Sequence, residues 1–217
     1  IYLLIAFSQG AAVGAGVIVA QYLGARDKKS VSDAVHTSLV IAGILGIVLT
    51  IAGIVLSRQL LEWMKTPAEV MEQAVTYFRL YSAGMFFGIV YNMAAGILNA
   101  AGNSKRSLLY LAVASFTNIV LDILFIAILD MGVAGAAIAT DISQAVSGIL
   151  SMAFLMRVKD SYQVSLKKLK IHRRIAGSMI RVGLPTGIQN MVISLSNVLV
   201  QTSVNGFGAA AMAGYTA

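Results

Sequence analysis

Residues 34–57 read AVHTSLVIAGILGIVLTIAGIVLS, without one charged side chain. About 20 residues of helix cross a hydrocarbon core about 30 Å thick. A run this long and apolar can satisfy its backbone inside lipid only as a helix or in a closed barrel. A barrel needs strands of about 10 residues with alternating polarity, and no such alternation is present. The stretch therefore predicts a membrane-spanning helix.

Five further windows have the same character. Ile1–Ala25 precedes it, and Leu80–Ser104 follows, lengthened at its start by Gln73–Phe78. Ser107–Leu129 is broken only by Asp122, and Met131–Met156 only by Asp141. The last runs from Val182 to the end, with Gly183, Pro185 and Gly187 near its start. The whole composition agrees: 58% hydrophobic, 12% charged, mean hydropathy +0.82. That charge share is about half the usual one, too little to cover a soluble enzyme. Disorder is excluded by the same numbers. Without cysteine there is no disulfide framework, thiolate metal site or cysteine nucleophile. Ile1 opens inside an apolar run without a basic n-region, so it does not read as a signal peptide. The chain reads as part of a longer protein.

The connections set the orientation. Arg26, Lys28, Lys29, Lys105, Arg106 and the stretch from Arg157 to Arg181 place 13 of the 16 basic residues on one side. The other side holds Arg58, Lys65 and Arg79 among Glu62, Glu69, Glu72 and Asp130. Lys and Arg accumulate on the cytoplasmic side. The net charge of +7 belongs to this asymmetry, and nucleic acid is the lesser reading. Thr66-Pro67-Ala68-Glu69 fits a capping box opening the third span. Trp63 and Tyr77 fall at the expected interfacial belt. Gly10/Gly14, Ala20/Gly24 and Gly84/Gly88 offer small faces for close packing. Residues 157–181 read as an amphipathic segment on the inner membrane surface, with a solvated charged loop as the alternative.

Two acids lie within spans, at a cost of about 2.5–3.5 kcal/mol each by insertion scales. Asp122 follows Asn118 by four residues, on one helix face, roughly 12 Å from that helix's outer end. Asp130-Met131-Gly132 is so short a connection that the next helix returns beside it, with Thr140 roughly 11 Å deep. Asn118, Asp122 and Thr140 thus offer a carboxylate, an amide oxygen and a hydroxyl, the ligands a hard cation prefers. A desolvated carboxylate there is also a proton carrier. The same cluster reads, alternatively, as hydrogen bonds that only hold helices together. Asp141 points about 100° from Thr140, into the same site or an outer vestibule. Gln9, Gln21, Gln144, Gln189 and Asn190 read as packing glue, and Phe86, Phe87, Tyr91, Met93 and Met152 as core or lipid-facing. His36 and His172 have no partner at metal-ligand spacing. No G-x-S-x-G, H-E-x-x-H or Walker loop occurs, so no enzyme is expected. Gly206-Phe207-Gly208 lacks the preceding strand of a dinucleotide loop.

Several stretches resemble the multidrug and toxic compound extrusion (MATE) transporters. Gln21-Tyr22-Leu23-Gly24-Ala25 with the following bases is similar to the family's second-to-third helix junction. Tyr77–Tyr81, then Gly84 to Ala100-Ala101-Gly102-Asn103-Ser104, resembles its fourth helix and loop. Asn118-Ile119-Val120-Leu121-Asp122, the glycine-rich run from Gly132 to Thr140, and Gly183-Leu184-Pro185 resemble its fifth, sixth and seventh helices. The resemblance implies an all-α polytopic helix bundle. Residues 1–156 would be five helices of the N-lobe, the family's first helix missing. Residues 157–181 would be a basic cytoplasmic linker, and 182–217 the first C-lobe helix. It implies a cation site at Asn118, Asp122 and Thr140, completed by an acid on the absent helix; Asp141 departs from the family pattern. The implied function is an antiporter in the cytoplasmic membrane, exporting amphipathic or cationic molecules in exchange for Na⁺ or H⁺. No other cofactor or metal is expected, and Pro185, which removes a backbone hydrogen bond beside Gly183 and Gly187, is the expected hinge. Expected partners are the bilayer, a small-molecule substrate and the rest of the full-length chain. A lipid-linked-precursor flippase of the same superfamily and a non-transporting scaffold are the alternatives.

Overall fold

The computed structural model describes residues 2–63 and 66–205. They form six long helices: α1 (Tyr2–Gly24), α2 (Lys28–Trp63), α3 (Ala68–Ala100), α4 (Ser104–Asp122), α5 (Gly132–Arg157) and α6 (Arg173–Asn205). Among the described residues there is no strand. α2, α3, α4 with its continuation to Ile128, and α5 are each long and apolar enough to cross a membrane. α1 packs on α6 and α3, α3 packs on α2 and α5, and α4 lies against α5. The lipid-type surface is plainest on α4, where Leu108, Phe116 and Ile119 are exposed.

Local chemistry ends the helices where the basic turns occur. Gly102 has φ +76° behind α3; its amide donates to Asn99 O (3.1 Å), and the Asn103 amide donates to Leu98 O (2.8 Å). This left-handed cap satisfies the last carbonyls of α3. Arg26, at φ 57°, repeats it behind α1, with its amide on Leu23 O (3.0 Å) and that of Asp27 on Tyr22 O (3.1 Å). Asp27 then caps α2, taking hydrogen bonds from the Ser30 hydroxyl (2.6 Å) and amide (3.1 Å). Those two bonds hold its carboxyl below the ordinary carboxylate pKa.

Helix contacts are close at the Gly10/Gly14 and Gly84/Gly88 faces, whereas the expected Ala20/Gly24 face is exposed and Gly24 meets nothing within 4 Å. On α1, a Cβ added at Gly14 would stand 2.5 Å from Met179 O and 2.8 Å from Gly183 on α6, so only glycine lets these backbones meet. Gly84 and Gly88 of α3 face α5, not another glycine stripe. The main hydrophobic core lies toward the end bearing the basic turns, around Val35, Ile97, Leu98, Tyr110 and Leu155.

Two further expectations need correction. Thr66 is not an N-cap: α3 starts at Ala68 behind Pro67, whose ψ of 141° is extended, and no side chain caps it. The Thr66 amide instead closes α2 through Leu61 O (3.1 Å). The segment 157–181 is not one surface element either. Its second half is the start of α6, and Ile175, Ala176 and Met179 are buried in the bundle. Its first half crosses the basic end as an irregular clasp with Tyr162 and Val164 buried. The last span is described only to Asn205, and Gly206-Phe207-Gly208 lies outside the described residues.

Candidate functional site

The fourth span holds the first feature that sequence periodicity does not show. α4 ends at Asp122, and residues Ile123–Ile128 continue as a π-helical turn. Such turns are rare and gather at functional sites. The turn back to α5 is tight: Asp130 has φ 51°, Gly132 has φ 55°, and the Met131 amide donates to Phe125 O (2.9 Å). Gly135 then lies against the π turn, where an added Cβ would come within 3.0 Å of Phe125 Cβ. The antiparallel α4–α5 pair expected from the short connection is present.

On this pair Asn118 and Asp122 share a face of α4, one turn apart and half-buried. Asn118 Nδ2 and Asp122 Oδ1 are both buried without a hydrogen-bond partner. Thr140, also half-buried, is on the neighbouring α5. Its hydroxyl donates to Ala136 O (2.9 Å), which commits the proton and leaves oxygen lone pairs to accept or coordinate. No hydrogen bond joins the three residues to one another. Buried polar atoms are nearly always paired, so the orphan oxygen of Asp122 and orphan amide of Asn118 are unusual groups, free to take a partner. A half-turn of the Asn118 carboxamide puts its oxygen where its nitrogen stands. The donor set is then the oxygen-only set suited to a small hard cation.

Asp141 belongs to a different contact. It packs onto Gly84 of α3, where any Cβ would overlap its carboxyl group, and its Oδ1 is buried without a partner. One turn on, Gln144 lies over Gly88, its Nε2 3.5 Å from Tyr81 Oη. Asp141 and Gln144 therefore form a polar seam between α3 and α5. Pro185 lies inside α6, which runs unbroken past it; its ring removes one hydrogen bond in the ladder.

Two openings flank α1. An apolar cavity of about 290 Å³ lies between α1, α2, α3 and α6, with Met93 and Met179 in its wall. An open groove of about 510 Å³ lies along α1 and α3, lined by small residues and by Gln9, Asn92, Asn99 and Asn190. Reading residue by residue missed Asn92 and Asn99; their seven-residue spacing on one helix face was the available signal.

Comparison with known proteins places the chain in a family. The family model MatE matches residues 1–124. The probable multidrug resistance protein YoeA of Bacillus subtilis is 30% identical over 223 residues, covering 99% of this chain and 48% of its own length. YpnP of the same organism, also a probable multidrug resistance protein, is 31% identical over 200 residues, 92% of this chain and 44% of its own. A crystal structure of MATE in complex with MaD3S aligns with a TM-score of 0.89 at 31% identity, covering 99% of this chain and 49% of that one. A MOP superfamily transporter from Pyrococcus furiosus gives 0.88 at 31%, covering 99% and 48%. The chain spans about half the length of the curated relatives it matches. A multi-pass helical membrane bundle with this sequence match belongs to the MatE family.

Proposed function

We propose that this chain is the ion-coupling part of a secondary antiporter in the cytoplasmic membrane, exporting amphipathic or cationic small molecules. The observation that carries the reading is the orphan carboxylate oxygen of Asp122, one turn from the orphan amide of Asn118 and beside the helix that bears Thr140. Na⁺ or H⁺ arriving from outside binds there. Ion and substrate prefer different conformations of the protein, so ion entry lowers substrate affinity and releases it outward. The substrate faces the open groove, where the carboxamides of Gln9, Asn92, Asn99 and Asn190 offer both donors and acceptors without charge. The π turn next to Asp122 and the proline in α6 are the backbone features through which the helices change shape. Relatives named as multidrug resistance proteins support the substrate class.

The test uses the full-length protein with Asp122→Asn, reconstituted in vesicles with an imposed Na⁺ or H⁺ gradient. Loss of gradient-driven efflux, with unfolding temperature retained, is the expected result. Unchanged gradient dependence removes the site from the mechanism. A fall in stability without a gradient phenotype favours a structural scaffold instead. Running the Na⁺ and H⁺ gradients separately identifies the coupling ion.

A further inference from the structure

The clasp between α5 and α6 carries positive charge that the fold does not use. From Arg157 to Arg181 there are eight Lys and Arg residues against the single Asp160, and four of the eight, Lys159, Lys167, Lys168 and Lys170, lie in the clasp itself. Among the described residues none of the eight forms a salt bridge. Within the clasp, residues 166–171 read LKKLKI.

This loop is held at both ends. Before it, Tyr162 and Val164 are buried, and the Ser165 amide donates to His36 Nε2 (3.0 Å). Behind it, the His172 amide donates to Thr37 Oγ1 (3.2 Å). With its ends fixed to α2, the loop turns its side chains outward. Leu166 is 63% exposed, Leu169 and Ile171 are 41% exposed, and Lys167, Lys168 and Lys170 are exposed among them.

The anchoring level matters as much as the charge. His36 and Thr37 lie where α2 passes from Lys28, Lys29 and Asp33 into its charge-free run. In a membrane protein that is the level of the headgroups. Lysines interleaved with exposed leucine and isoleucine at this level suit one partner. Phosphate-bearing anionic headgroups meet the ammonium groups, and the acyl boundary accepts the apolar side chains. A soluble acidic partner would satisfy the lysines and leave the three apolar side chains unexplained. We infer that residues 166–171 form a docking site for anionic phospholipid, built on the clasp and held against α2.

The experiment follows thermal unfolding of the full-length protein in neutral detergent with added phosphatidylglycerol, phosphatidylcholine, inorganic phosphate or polyglutamate. Phosphatidylglycerol is expected to raise the unfolding midpoint, and the other three to leave it nearly unchanged. The combined variant Lys167→Gln, Lys168→Gln, Lys170→Gln should lose most of that rise while keeping the phosphatidylcholine midpoint. Leu166→Ser with Leu169→Ser, which keeps every charge, should also weaken it. Equal shifts with both lipids, or a full rise in the lysine variant, overturn the assignment. A rise reproduced by inorganic phosphate makes this a free-anion site, and a larger rise with polyglutamate makes it a protein surface. Either result also overturns it.

Discussion

Among the described residues, unpartnered buried side-chain atoms gather in one half of the bundle, although Ser57 and Ser82 there are hydrogen-bonded. At the basic end buried polar groups are paired. His36 Nδ1 meets Ser32 O (2.7 Å) while its Nε2 accepts from Ser165; Thr37 donates to Asp33 O (2.7 Å) and accepts from His172; Asn103 Nδ2 donates to Tyr162 Oη (2.7 Å). In the opposite half, Thr50 Oγ1, Asn118 Nδ2, Asp122 Oδ1 and Asp141 Oδ1 are buried with no partner. Among the described residues, Ser151 Oγ is the one such orphan on the basic side. A satisfied network rigidifies, whereas an unsatisfied buried group stores a cost that a ligand can relieve. Most such orphans lie in the half that carries Asn118 and Asp122.

The largest effect should come from removing the charge in the unpaired half. Asp122→Asn is expected to reduce gradient-driven efflux roughly 5- to 150-fold, the range of ordinary coupling energies. Its unfolding temperature should stay level or rise, because a half-buried carboxylate whose Oδ1 has no partner has been replaced by a neutral isostere. A large loss of stability would show that Asp122 is paired after all, and the contrast between the halves would fail.

Two threonines on α2 sharpen the same contrast with one chemical change. Thr37→Val leaves the His172 amide and the clasp without their partner, and should cost about 1–3 kcal/mol. Thr50→Val removes a hydroxyl that bonds to nothing, so its effect should lie within about 1 kcal/mol and can be stabilising. Urea or thermal unfolding of the two single variants measures the difference. Equal costs would mean that position along α2, not pairing, sets the stability.

Much of this architecture was legible because membrane spans are written in length and charge. The four membrane-length helices, the antiparallel α4–α5 pair and the Gly10/Gly14 face all follow from that grammar. The π turn does not, since Ile123-Leu124-Phe125-Ile126-Ala127-Ile128 has no glycine or proline and is equally apolar in either helix type. The start of α6 at Arg173 was hidden for a related reason. A charge-free window ends at arginine, but arginine is a good helix former. The capping signature at Thr66 failed because Pro67 takes an extended ψ. Of the site, Asn118 and Asp122 were readable from their spacing of four. The direction of Asp141 was not, because it depends on which helix receives it, and Gly84 does so from 57 positions away. The His36, Thr37 and His172 pairings span still longer separations and leave no local pattern.

The smallest effect tests whether the paired end depends on a neutral phenol. Tyr162 is 4% exposed and accepts the Asn103 amide. Burial pushes its pKa above the ordinary 10.0, and the charge of Asp160 pushes the same way. A folded-state pKa raised above the unfolded value gives stability that is fully present below about pH 10 and lost as pH rises through the folded value. The unfolding midpoint should therefore hold from neutral pH to about 9 and fall beyond 10. Tyr162→Phe should lower the neutral midpoint slightly, by the loss of one hydrogen bond worth about 1 kcal/mol, and flatten the alkaline fall. An identical fall in both proteins would assign it to lysine deprotonation elsewhere. The charge state of Tyr162 would then contribute nothing to the alkaline loss of the clasp.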